Sequence, residues 1–350
     1  MKKKANVIAI IIGLSLFTQY LIFAFLDWKT GELLHSSITI DQAHLVETDI
    51  TEAENLQLSY NNKYLSFIND NKLEVIDLFQ NKSVFDSSVF LDSSSEMLNY
   101  KWLPDRNSLL FFTTQPGHLR GYLYSLDLNN STNNEYLPKL DREFSFPIAR
   151  VLKIEISTYT NNLYVLFNDS KQKSRLIKMD IMKGINWLDL PQEFIDNIAV
   201  SNKLGNLFVE STYDNSKRIF SHEGQERKII SIHPNDILLG SKDNTIYIGR
   251  VEDGYLKGLS IYDYHKEGGN PINLWQGEMT YENIESFISN DKKLLIKHNR
   301  QLTVFLTEGT TMQTQLPEGS IVFSPTGNIY MQVVPGEIGF HYYWRTIQGN

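Results

Sequence analysis

The sequence predicts an all-β fold, a seven-bladed β-propeller preceded by one N-terminal transmembrane helix, and three observations carry that prediction. A strand–turn–strand unit recurs seven times with a mean spacing of about 44 residues, the length of one four-stranded blade. Aromatic residues make up 12% of the chain, with 18 Tyr and 19 Phe, a usage suited to pleated surfaces. One uninterrupted apolar run, Val7 to Leu26, stands apart from everything that follows. Six and eight blades are the neighbouring solutions to the same spacing.

The apolar run comes first. A helix rises about 1.5 Å per residue, so 7–26 spans roughly 30 Å, the thickness of a bilayer's hydrocarbon core. Only Ser15, Thr18 and Gln19 break its apolar character, and none is charged. Lys2, Lys3 and Lys4 precede it, whereas Lys29 is outnumbered by Asp27, Glu32, Asp41 and Glu47 beyond it. Lysines resist translocation, so residues 1–6 are expected in the cytoplasm and the rest outside it, at the cell membrane. Trp28 suits the interface, and with the three lysines forms the expected membrane-interface anchor. A cleaved signal peptide is the rival reading. Its core is typically shorter, about 7–15 residues, and Ile22-Phe23-Ala24 is a poor cleavage site. Residues 27–35 then form a tether, and 36–350 the propeller.

The units follow in order, with Tyr64, Ser108, Leu163, Leu207, Thr245, Leu294 and Ile329 as equivalent positions. Unit one turns at Asn61-Asn62-Lys63 and again at Asn69-Asp70-Asn71 before Leu73–Asp77. Unit two has Trp102 to Asn107 before its second strand, and unit three has Tyr159 to Asn162. Units four, five and six turn at Ser201–Asn206, Ser241–Asn244 and Ser289–Lys292. Asn and Asp tolerate left-handed turn conformations, which explains their density there. The first strand of unit five is poorly defined. No amphipathic helical pattern of convincing length follows the apolar run.

Unit seven supplies strands near Ser320–Phe323, Asn328–Val334 and Ile338–Arg345, and lacks a fourth. The strand-like segment 36–46 is otherwise unpaired. It is expected to complete the last blade, so that no sheet edge is left exposed.

Ser324-Pro325-Thr326-Gly327-Asn328-Ile329-Tyr330 and its degenerate upstream copies resemble the signature of WD40-like bacterial propellers, including the TolB-type and YVTN-type families. Asp77, Asp127, Asp180 and Asp263 match the third-strand aspartate of that pattern. The resemblance covers about 290 residues and implies architecture, not activity.

Charge and chemistry narrow the function classes. Three of the 33 basic residues precede the span, leaving the remainder against 41 acidic ones, a balance that argues against nucleic-acid partners. The absence of cysteine rules out disulfides and thiolate metal sites. There is no G-x-S-x-G elbow, since Gly258-Leu-Ser260-Ile lacks the second glycine, and no phosphate-binding loop. The eight histidines show no ligand spacing, and the run from Asp127 departs from a calcium loop in lacking glycine at its sixth position and in having Pro138 rather than glutamate at its twelfth. No cofactor, metal or catalytic residue is expected.

Two connections look longer than a blade requires: Pro138–Pro147, with Arg142, Phe144 and Phe146 as a candidate partner-contact loop, and Tyr264–Pro271 followed by Trp275. His341-Tyr342-Tyr343-Trp344 should alternate faces in the final strand. The expected function is a membrane-anchored, extracytoplasmic, non-catalytic protein-binding or scaffold module with a protein partner in the envelope. The alternative is a small-molecule sensor or enzyme with its site in the central channel. A third reading is an accessory subunit of a membrane complex.

Overall fold

The computed structural model describes residues 40–347 apart from 48–52, 93–94, 116–117, 130–135, 181, 189–193, 214–215, 224–225, 264–270, 308 and 338, and before residue 40 only 18–19 and 21–22. The 7–26 run therefore lies outside the described residues except for Thr18, Gln19, Leu21 and Ile22, which are helical. No helix among the described residues is long and apolar enough to cross a membrane. Lys2, Lys3, Lys4, Trp28 and the tether also lie outside them.

From residue 43 onward the chain forms one compact unit of strands. β1 (Ala43–Val46) comes first, followed by blade one, β2 (Glu54–Leu58), β3 (Tyr64–Asn69), β4 (Lys72–Asp77) and β5 (Lys82–Asp86). Blade two is β6 (Glu96–Trp102), β7 (Ser108–Gln115), β8 (His118–Asp127) and β9 (Lys139–Phe144). Blade three is β10 (Arg150–Ser157), β11 (Asn162–Asn168), β12 (Ser174–Met179) and β13 (Ile185–Trp187). Blade four is β14 (Phe194–Val200), β15 (Leu207–Tyr213), β16 (Ser216–Glu223) and β17 (Glu226–Ile229). Blade five is β18 (Asp236–Lys242), β19 (Thr245–Glu252), β20 (Tyr255–Asp263) and β21 (Ile272–Thr280). Blade six is β22 (Ile284–Ile288), β23 (Leu294–His298), β24 (Gln301–Phe305) and β25 (Thr311–Gln315). β26 (Ser320–Phe323), β27 (Ile329–Pro335) and β28 (Phe340–Thr346) belong to blade seven.

These strands make seven four-stranded sheets, each an antiparallel meander, and β1 pairs with β28 to complete the seventh. The expected closure is present: Ala43 lies opposite Tyr343 and Val46 opposite Phe340. Tight turns set the register. Asp70 and Asn71 both have positive φ, the two-residue geometry that matches strand twist between β3 and β4. Gly327, at φ 68°, sits where a Cβ would come within 2.4 Å of the Ser289 Cβ of the preceding blade. Only glycine fits both demands.

The core lies between blades. Each of the six apolar clusters among the described residues joins two successive sheets; Tyr64, Val75 and Phe85 of blade one, for example, pack with Trp102, Leu109 and Phe111 of blade two. A second strand is covered on both faces by its neighbours, so β7 and β11 read as continuous apolar runs. β28 alternates instead: Tyr342 and Trp344 are buried while His341 and Tyr343 are half-buried.

One expectation is corrected. Residues 139–144 are not a loop but β9, the outer strand of blade two. Of the second connection, residues 264–270 fall outside the described residues, and Trp275 lies in the strand that follows, β21. The outer strand of a blade carries few apolar residues because one edge faces water, so its charges imitate a loop. β18, poorly defined in sequence, is a seven-residue strand with a bulge between Leu238 and Gly240.

Candidate functional site

The first strands of successive blades pack against one another, β6 on β10, β10 on β14, β14 on β18, β18 on β22 and β26 on β2, and so ring the centre of the disc. Within that ring a polar belt ties blade to blade. Bulges after Met97 and Ile195 turn Asn99 and Asn197 toward the next blade. The Asn99 amide donates to the Val151 carbonyl oxygen at 3.0 Å, and the Asn197 amide to that of Leu238 at 2.7 Å. The Ser286 hydroxyl donates to the Leu239 carbonyl oxygen at 3.1 Å.

Lysines project into the same belt. Lys153 Nζ donates to Asn197 Oδ1 at 2.6 Å and lies 3.6 Å from Glu155 Oε1, while Lys101 Nζ reaches the same oxygen at 3.5 Å. Two ammonium groups thus share one carboxylate. Lys242, from blade five, donates to the neutral Asn290 Oδ1 at 2.7 Å. Burial lowers the pKa of Lys153, opposed by Glu155 and reinforced by the Lys101 charge. Burial also lowers that of Lys242, opposed by the Asp243 charge and reinforced by that of Lys101. All three lysines therefore sit in one electrostatic neighbourhood, in which Glu155 and Asp243 offset burial and mutual repulsion only in part for Lys153 and Lys242.

A cavity of about 440 Å³ opens there, bounded by the first strands of blades one, two, five, six and seven. Its volume lies within the roughly 300–1,000 Å³ common for ligand pockets. Leu56, Trp102, Phe287 and Phe323 give it an apolar wall, Lys101 and Lys242 a basic one. Trp102 is held in place by its indole N–H, which donates to the buried Ser66 Oγ at 2.7 Å. Glu285 also lines the cavity, and Lys297 Nζ holds its carboxylate at 2.8 Å. Tyr60, 44% exposed, stands at the rim.

A smaller cavity of about 320 Å³ is lined by Asp196, Glu210, Lys217 and Tyr281. Its polar groups satisfy one another: Glu210 accepts from the Leu238 N–H at 2.6 Å and from Lys217 at 3.1 Å. Burial raises the Glu210 pKa despite both donors. It reads as a structural joint between blades four and five.

Of the candidate contact residues, Phe144 and Phe146 are brought together, their ring centroids 5.4 Å apart, within the packing of blades two and three. Phe144 is fully buried, 5.8 Å from the Phe112 ring, and Phe146 packs between Phe167 and Trp187. Arg142 is exposed on β9. Among the described residues no group of His, Asp and Glu could hold a metal ion. The residues the sequence did not single out are Lys101, Lys153 and Lys242. The signal for two of them is a lysine flanked by apolar residues in a first strand, as in Tyr100-Lys101-Trp102 and Leu152-Lys153-Ile154, whereas Lys242 ends β18 after Gly240-Ser241 and carries no such signal.

No protein-family model matches the chain, and no curated protein matches it in sequence. Solved structures do match. The β-propeller domain of Cps50 (Swd1) from Myceliophteria thermophila aligns with a TM-score of 0.56 at 12% identity, over 88% of this chain and 99% of that one. The chain is a seven-bladed β-propeller. A chain of a mitotic checkpoint complex aligns at 0.55 and 13% identity, over 89% and 92%. The propeller domain of the Trilobed protease from Pyrococcus furiosus, described as having an open velcro topology, aligns at 0.53 and 10% identity, over 85% and 96%. In the present propeller the β1–β28 pairing closes the seam. Identities this low establish the fold alone.

Proposed function

We propose that this protein is a non-catalytic binding module, anchored in a membrane by residues 7–26 with its propeller outside the cytoplasm, and that it engages a protein partner at the channel mouth. The observation that carries the reading is the cavity ringed by Leu56, Tyr60, Trp102, Phe287 and Phe323. Concave aromatic surface on a rigid scaffold is where binding energy concentrates. The lysine-flanked apolar run supports the anchor and its orientation. One propeller of similar fold was solved within a mitotic checkpoint complex, which fits a scaffold role. The acidic balance of the chain disfavours nucleic acid.

The test is crosslinking and capture of the full chain from its native membrane, beside Tyr60→Asp. The reading expects at least one protein captured by wild type and lost with the variant. Identical capture by both chains would refute the channel-mouth assignment.

A further inference from the structure

The channel mouth pairs an apolar wall with positive charge that the propeller neutralises only in part. Lys101 and Lys153 divide one carboxylate, that of Glu155. Lys242 meets a neutral amide oxygen at hydrogen-bond distance, and the adjacent Asp243, whose charge acts on it against burial, is itself paired with Lys292 Nζ at 3.6 Å. Glu285, the acidic residue of the lining, is already bound by Lys297. This basic excess stands in a chain with a formal net charge of −8. It is therefore local, produced by the ring bringing distant strands together, and not a reflection of composition. Charge left unmatched near a half-buried apolar wall is costly unless an anion meets it.

We propose that the site takes an acidic–apolar segment of a partner protein, with an aspartate or glutamate carboxylate seated between Lys101 and Lys242 and a neighbouring apolar side chain against Trp102 and Phe323. This rests on the binding-module reading above. A peptide segment suits the lining better than a bare anion for two reasons. The wall opposite the lysines is carbon, which rewards an apolar side chain on the same ligand. Beyond the bonds they already make, Gln57 at the same mouth keeps its amide oxygen as an acceptor, Ser286 its hydroxyl oxygen, and Asn290 its amide N–H groups as donors, a set suited to a peptide backbone.

Calorimetric titration of the full chain in non-ionic detergent with acetyl-Leu-Glu-Phe-amide and its glutamine counterpart, acetyl-Leu-Gln-Phe-amide, tests the proposal. The glutamate peptide is expected to bind saturably and at least tenfold more tightly than the glutamine one. Lys242→Gln and Lys101→Gln are each expected to remove most of that preference. Lys242→Arg should keep it, and Lys82→Gln, on the outer strand of blade one, should leave it unchanged. Glu155 retains Lys153 in the Lys101→Gln chain, so the belt is not left with an orphaned carboxylate. Equal affinity for the two peptides, no saturable binding, or a preference surviving both lysine-to-glutamine changes would overturn the proposal. Tighter binding of 3-phenylpropionate than of the glutamate peptide would also overturn it, giving the site to a free organic acid. Capture of a native partner that is sensitive to Tyr60→Asp, with no discrimination between the peptides, would remove the carboxylate assignment and leave the binding-module reading standing.

Discussion

The Tyr342 hydroxyl donates to the Leu78 carbonyl oxygen at 2.6 Å, joining the last blade to the first across 264 positions of sequence. The same hydroxyl lies 3.1 Å from Asn81 Oδ1, and the ring stacks on His44 of β1 with centroids 4.8 Å apart. Burial holds the phenol well above its ordinary pKa, so it stays a donor throughout the working range. Tyr342→Phe removes the donor and leaves the buried Leu78 carbonyl oxygen without it. We expect unfolding free energy to fall by about 1–2 kcal/mol, read as a lower urea midpoint at unchanged slope. An unmoved midpoint would mean that the seam does not depend on this bond.

β1 is the second component of the seam. A chain beginning at residue 40 keeps it, and a chain beginning at residue 48 exposes the β28 edge, with Val46 no longer covering its pocket. The first should melt as the full-length propeller does. The second should melt several degrees lower and associate as concentration rises, because an unpaired edge templates further pairing. Equal melting of the two truncations would show that three strands suffice in blade seven.

His222 offers a pH dependence of known sign. Burial first, and the Arg227 charge second, lower its pKa from 6.5 to about 4. Below pH 6.5 the unfolded chain binds a proton that the folded one refuses, so this group's contribution to stability declines as pH falls from 6.5 toward 4. The loss should be on the order of 1–3 kcal/mol near pH 4. His222→Gln should flatten that part of the melting-temperature profile. A profile with the same slope in both proteins would contradict the assignment.

The chain has no cysteine, so one introduced thiol reports topology without background. Ile229, 56% exposed on β17, is a suitable position. Ile229→Cys should react with a membrane-impermeant maleimide on intact cells. Labelling that begins only after lysis would place the propeller on the other side of the membrane.

The seven-fold spacing, the Asp70–Asn71 turn and the strand that closes blade seven were all legible in the sequence, because each rests on local turn chemistry and on a period. β9 was not. Lys139-Leu140-Asp141-Arg142-Glu143 carries the charge density of a loop, and only its pairing with β8 makes it a strand. Phe144 and Phe146 looked like a contact surface for the same reason, yet blades two and three bury Phe144 completely. The channel lysines were illegible for a different cause. Lys101 and Lys242 occupy ordinary polar positions of β6 and β18, and closure of the ring is what sets both at one cavity.

Site-specific photocrosslinking from the channel rim tests the functional account most directly. A photoreactive residue at Tyr60, compared with one at Ile229 on the outer surface, should give a discrete adduct in native membranes that Ile229 does not give. The same adducts from both positions, or none from Tyr60, would contradict a binding face at the channel mouth.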